Sequence, residues 1–258
     1  MSARIIHIAR NTFREAVRDR VLYNLVFFAL LMVGAAVLFG QISIGIERIV
    51  LVNLGLTAMS VFGALIAVFI GIGLVSKEIE KRTLYTVLAH PVRRWEFIFG
   101  KFCGLAGTLV VNTILMAIGF FVALLYVAQK FASSDWAVLV AIYFIILQLV
   151  ILTAIALLFS SFSSPVLAAV MTFALFVIGA FAQDLREFAA MAKGPVHWIA
   201  TATAYLVPNF ASLNVISSSA HGEAVPIAVV GFNSLYALTY CAATLAGAVM
   251  IFEHRNLK

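Results

Sequence analysis

Charge in this chain is gathered in one place. The stretch Ser76–Lys101, SKEIEKRTLYTVLAHPVRRWEFIFGK, holds six of the 17 basic and three of the 11 acidic residues in 26 positions, between two long apolar runs. Glu78 and Glu80 lead, Arg82, Thr83 and Leu84 follow, and Pro91, Arg93, Arg94 and Trp95 come after a break at His90-Pro91. Side chains of these types offer recognition chemistry. Charge pairs and an aromatic edge on a structured element suit docking to another surface in water better than joining two helices.

Bond-making chemistry has no comparable set. The five histidines (His7, His90, His197, His221 and His254) lie in separate segments. Ser160, Ser161, Ser163 and Ser164 have no neighbouring base, and a serine nucleophile needs one. A phosphate loop would read G-x-x-x-x-G-K-[ST], but Gly100-Lys101 has neither the upstream glycine nor the following Ser or Thr. Cys103 and Cys241 are far from each other and from histidine, and the seven methionines are isolated, so soft ligands for copper are not clustered. The expectation is no catalytic residue, no metal site and no cofactor bound by this chain.

The elements that carry these residues follow from composition. The 258 residues are 64% hydrophobic and 11% charged, with a mean hydropathy of +1.11. Soluble domains run to about 45–50% apolar and about 25% charged, so the chain reads as an integral membrane protein. Its apolar runs are continuous rather than alternating, which excludes barrel strands. A spanning helix needs about 20 residues. Six spans are predicted, at 21–41, 51–75, 102–128, 137–160, 165–183 and 228–252, with a hairpin at Ser160–Pro165 between the fourth and fifth. The window Gly194–Gly222 carries Pro195, Pro208, Asn209 and Asn214 and is expected to form short interfacial or re-entrant helices, which need protein or water beside them.

With the N-terminus inside, 13 Lys and Arg fall on the cytoplasmic side and 4 outside. That asymmetry orients the chain in the cytoplasmic (inner) membrane with both termini cytoplasmic. It places 76–101 in the cytoplasm and 184–227 outside. The net charge of +6 is then an orientation signal and a basic face toward anionic lipid, with no nucleic acid required. Residues 2–20 read as an amphipathic helix in the interface plane. Arg4, Arg10, Arg14 and Arg18 share a sector of about 120° at 100° per residue, with Phe13 among the apolar residues opposite. Within the spans Asn53, Asn112, Gln148 and Asn233 are the notable polar groups. Most such groups bond between helices, and a minority would line a substrate path. Gly100-x-x-x-Gly104 permits close approach of another helix. Spans without ionisable groups argue against proton or sodium coupling, so energy must enter from another subunit.

With these pieces assembled, the chain resembles the permease subunits of ABC-2-type transporters over its whole length, nearest to those associated with multicopper-enzyme maturation. The resemblance is carried by Glu78 and Glu80, then Arg82-Thr83-Leu84, Pro91, Arg93 or Arg94, and Gly100-Lys101 at the start of the third span. Many members have glycine where Arg82 stands. The resemblance implies an all-α fold in one transmembrane domain, 1–258, of six transmembrane helices. It adds an N-terminal elbow helix, cytoplasmic gate and coupling helices between spans 2 and 3, and short outer helices before span 6. It implies a half-transporter that pairs with a second permease copy or paralogue and with two ATPase subunits, which bind ATP and Mg. Glu78, Glu80, Arg82, Thr83, Leu84, Pro91, Arg93, Arg94 and Trp95 would then contact the ATPase. The activity implied is export or flipping of an amphipathic, lipid-like substrate. The alternatives are a membrane scaffold or sensor, and an accessory permease for metalloenzyme maturation that docks a cytoplasmic ATPase.

Overall fold

The computed structural model of the protein describes residues 2–43, 45–80, 93–128 and 135–254, which form helices and no strand. An apolar environment cannot satisfy exposed backbone groups, so each spanning segment must satisfy its own. The uninterrupted Leu, Ile, Val, Ala and Phe runs do this as long helices. The first two helices are α1 (Ser2–Val17) and α2 (Arg20–Ile42), followed by α3 (Glu47–Glu80) and α4 (Arg94–Ala128). Next come α5 (Asp135–Phe162), α6 (Pro165–Ala180) and α7 (Ala182–Met191). The last are α8 (Pro195–Leu206), a 3-10 turn at Ala211–Leu213, α9 (Ile216–Ala220) and α10 (Ile227–His254).

Among the described residues, five helices are each long and apolar enough to cross a membrane: α2, α3, α4, α5 and α10. Two bent pairs reach that length only together, α6 with α7 at 64° and α8 with the segment 211–220 at 46°, so the count is five, or up to seven if each pair is one span. The apolar run expected to continue from 165 to 183 therefore changes direction after Ala180. In an unbroken helix the Gly179 carbonyl would accept from Gln183. Here it accepts from the Phe210 amide at 3.1 Å instead. A Cβ on Gly179 would lie 2.5 Å from the Pro208 carbonyl oxygen and 2.6 Å from the Phe210 ring. Gly179→Val should therefore lift the 208–210 segment off α6 and lower stability by about 1–3 kcal/mol. A melting temperature in detergent equal to that of the native protein would disprove this contact.

The serines expected to form the α5–α6 hairpin divide. Ser160 and Ser161 are buried and extend α5, donating to the Leu157 and Leu158 carbonyls at 2.9 Å and 2.6 Å. Ser163 and Ser164 make the turn, and Pro165 opens α6, where its missing N–H costs nothing.

The core runs along α3 and α5, which bury Leu51, Leu56, Met59, Ile66, Leu149, Leu152 and Ile155 almost completely. Small residues set their spacing. A Cβ on Gly63 would meet Leu149 at 2.8 Å, and one on Gly71 would meet Ala156 at 3.1 Å. Close backbone approach of this kind replaces the hydrophobic drive that lipid does not supply between helices. α2 packs on α3 and α4, α6 on α3 and α5, and α10 on α5 and α4. The outward surfaces of α2 and α10 carry exposed Phe27, Leu38, Phe232 and Leu238, as lipid-facing helices do.

Candidate functional site: the base of the bundle and its polar contacts

Of the residues expected to contact an ATPase, Arg82, Thr83, Leu84 and Pro91 lie outside the described residues, as does the His90-Pro91 break. Glu78 and Glu80 fall in the last turn of α3, which continues past the expected end of the span at 75. The helix expected to begin at Pro91 begins at Arg94. Its start is set by a cap. The Glu96 carboxylate accepts from the Arg93 amide at 3.0 Å, while the Arg93 carbonyl accepts from Glu96 and Phe97 amides at 3.0 Å and 3.2 Å. Glu96 stands three residues into the helix and reaches back, as the acidic member of a capping box does. Its side chain is 1% exposed.

The other side chains at this end turn in different directions. Arg93 is exposed and Trp95 half-buried. Arg94 points inward and donates from Nη1 to the carbonyl of Phe252, near the end of α10, at 2.8 Å. Lys101 is buried, with Nζ 5.5 Å from the centroid of the Phe97 ring.

α1 lies against this same part of α4. Arg4, Arg10, Arg14 and Arg18 are exposed, while Thr12 and Ala16 are buried and Ile5, Ile8 and Phe13 half-buried. The partner of the apolar face is the glycine ridge of α4. A Cβ on Gly100 would meet Ile8 at 2.8 Å, and one on Gly104 would meet the Ala9 carbonyl oxygen at 2.6 Å. The two sequence features, an amphipathic helix and a GxxxG pair, are thus two halves of one contact.

The four amide side chains noted within the spans have different surroundings. Gln148 of α5 donates to Ser60 of α3 at 2.9 Å. Asn233 of α10 donates to the Ser212 carbonyl at 3.0 Å. Asn53 is half-buried. Asn112 is buried, and its Nδ2 has no acceptor among the described residues, a deficit of about 1–3 kcal/mol where water is excluded.

Three further features, of which the sequence marks only Asn233, complete the bundle. At the end of the bundle away from Arg94, Arg48 pairs with Asp135 at 2.9 Å, joining the starts of α3 and α5. Its Nη1 also donates to the Ala220 carbonyl at 3.4 Å, and Ser219 donates to the Ala137 carbonyl at 2.9 Å, so α9 is tied into the same corner. Asp135 stands in the first turn of α5, where a negative charge also suits the helix dipole. On α10, Asn233, Tyr236 and Tyr240 hold the turn between α8 and α9. Tyr236 Oη accepts from the Asn209 amide at 2.8 Å, and Tyr240 donates to the Leu206 carbonyl at 3.2 Å. The hint in sequence was the spacing of Tyr236 and Tyr240, one helical turn apart. The third is a cavity of about 720 Å³ between α3 and α6, lined by Leu65, Phe69, Ile72, Val166, Val170 and Phe173 among other apolar residues. None of Asn53, Asn112, Gln148 and Asn233 lines it.

A helical bundle of this apolarity, with charge held at its ends, is a multi-pass membrane protein. The family of ABC-2 family transporter proteins matches residues 6–257, and the chain belongs to that family: it is a permease component of an ABC transporter. No curated protein matches it.

Proposed function

We propose that the chain is the membrane half of an ATP-driven exporter or flippase for an amphipathic, lipid-like substrate. Two separate ATPase subunits, which bind ATP and Mg, supply the energy, and a second permease copy or paralogue completes the transporter. In this reading the segment 76–101 and both termini face the cytoplasm, and the ATPase docks on that segment. Arg4, Arg10, Arg14 and Arg18 then face water and anionic headgroups beside it.

The observation that supports the substrate class is the α3–α6 cavity. Its volume of about 720 Å³ falls within the range of small-molecule sites, about 300–1,000 Å³. Its lining is entirely apolar, so it offers an acyl chain burial and offers an ion or sugar no hydrogen bond. Val170 and Val166 are its exposed rim. The cavity also lies beside α3, whose last turn holds Glu78 and Glu80, so movement of that end would reach the cavity wall directly.

The test has two arms. Gentle affinity purification of the tagged permease is expected to recover ATPase subunits, and recovery of the permease alone would count heavily against the reading. The complex in liposomes is then expected to move a fluorescent-tailed phospholipid only with ATP. Val170→Glu, which puts a charge at the mouth of the apolar cavity, should reduce that movement at least tenfold, a difference of about 1.4 kcal/mol in barrier, with ATPase assembly kept. Assembly without nucleotide-dependent movement would favour the scaffold or sensor.

A further inference from the structure

α10 ends where α4 begins, and the two are joined by an unusual contact. Phe252 is 0% exposed. Its ring stacks on Phe97 of α4 at 6.0 Å with the planes 15° apart. The Arg94 Cζ lies 6.0 Å from the Phe252 centroid, and the Lys101 Nζ lies 5.5 Å from the Phe97 centroid. Two cations thus attend two stacked rings. The Arg94 guanidinium also donates to the Phe252 carbonyl at 2.8 Å. The last carbonyls of a helix have no partner within it, and a cation there is favoured by the helix dipole. Cation–ring contacts strengthen as water is removed, and Phe97 and Lys101 are only 3% and 2% exposed.

The first half of α10 is attached as well. Asn233, Tyr236 and Tyr240 bond to Ser212, Asn209 and Leu206. The helix is stiff along its axis, and from Asn233 to Phe252 it covers about 28 Å. It packs along α5, is tied at its C-terminal end to the first turns of α4, which form the last part of the charged segment 76–101, and through its first half to the turn between α8 and α9.

We propose that α10 is a rod that carries displacement of the charged segment across the bundle to the α8–α9 turn, and that Arg94, Phe97 and Phe252 form the joint that makes it follow α4. This rests on the permease reading above. Arg94 is then a positioning residue inside the permease, and Arg93 and Trp95 are left to meet the ATPase.

The test is made on the assembled complex, with Cys103 and Cys241 replaced by alanine. Spin labels are placed at exposed positions, pairing Phe27 of α2 with Phe99 of α4 in one sample and with Leu206 of α8 in another. Labelled permease is diluted with unlabelled. Trapping with ATP and vanadate is expected to shift both distances in the native background. Arg94→Gln and Phe252→Ala should keep the Phe99 shift and lose the Leu206 shift, while Phe252→Tyr, which retains the ring, keeps both. Arg94→Gln changes little volume, so it answers even where Phe252→Ala fails to fold. A native complex in which Phe99 moves and Leu206 does not overturns the rod, as does an Arg94→Gln complex that keeps the Leu206 shift. No shift at Phe99 in the native complex overturns the proposed ATP-driven movement of the charged segment, on which the rod depends.

Discussion

Gly104→Leu is expected to detach α1 from α4. The reason is geometric. A Cβ at position 104 would lie 2.6 Å from the Ala9 carbonyl oxygen and 2.7 Å from the Thr12 Cβ. Backbone cannot rotate aside as a side-chain tip can, so the whole of α1 must retreat. Overpacking ordinarily costs about 1–3 kcal/mol, and a leucine at a contact this close should reach or exceed the upper figure. The retreat would also uncover Ile5, Ile8 and Ala9 of α1. Two readouts should change together: the melting temperature of the solubilised protein should fall, and trypsin should cut faster at Arg10 and Arg14. Gly34→Ala is the control, because a Cβ there meets nothing within 4 Å. If Gly104→Leu melts and digests like that control, α1 is held by something other than the glycine ridge.

Asp135→Ala carries the second large effect. Its partner Arg48 is 26% exposed and Asp135 11%, so the pair lies between two limits. Exposed pairs contribute about 0–1 kcal/mol, and removal of one member of a buried pair costs about 3–5 kcal/mol. A loss of about 2 kcal/mol is expected here, since a half-buried guanidinium would keep only the 3.4 Å bond to Ala220 and its Nε already has no partner among the described residues. A double-mutant cycle separates the pair from the rest of the corner. Arg48→Met with Asp135→Ala should be less destabilising than the sum of the single changes. Simple additivity would mean that the two charges do not stabilise each other, whatever their separation.

The two effects differ in how much of them is legible in the sequence. Gly104 was visible as half of a GxxxG pair and α1 as an amphipathic helix, but nothing in either pattern says that they meet. Arg48 is one of the four basic residues that the charge asymmetry places outside, with no partner marked. Asp135 drew no notice, although its partner is 87 positions away. The family resemblance sets Arg94 beside Arg93 as a docking residue, and sequence spacing gives no sign that its guanidinium bonds to the carbonyl of Phe252, 158 positions on. For Gln148 the sequence allows a helix-to-helix bond or a place on a substrate path, and the contact with Ser60 is a helix-to-helix bond.

The sequence by itself determined the class of this protein: an all-α bundle in a membrane, with charge held at the ends of its helices. It could do so because the controlling conditions are local. Hydrocarbon forces each spanning segment to satisfy its own backbone, and an uninterrupted apolar run is enough to report that. The division of α1 into basic and apolar faces was local for the same reason. Tertiary structure decided what each face meets. The bend after Ala180 lies inside a charge-free run and depends on an amide from Phe210 reaching the Gly179 carbonyl. The Arg48–Asp135 pair, the α1–α4 ridge and the α4–α10 joint likewise depend on distant segments arriving at one point. Hydropathy can say that a segment must be buried or spanning, but close contacts act over a few ångströms, and only the folded chain places their partners within that reach.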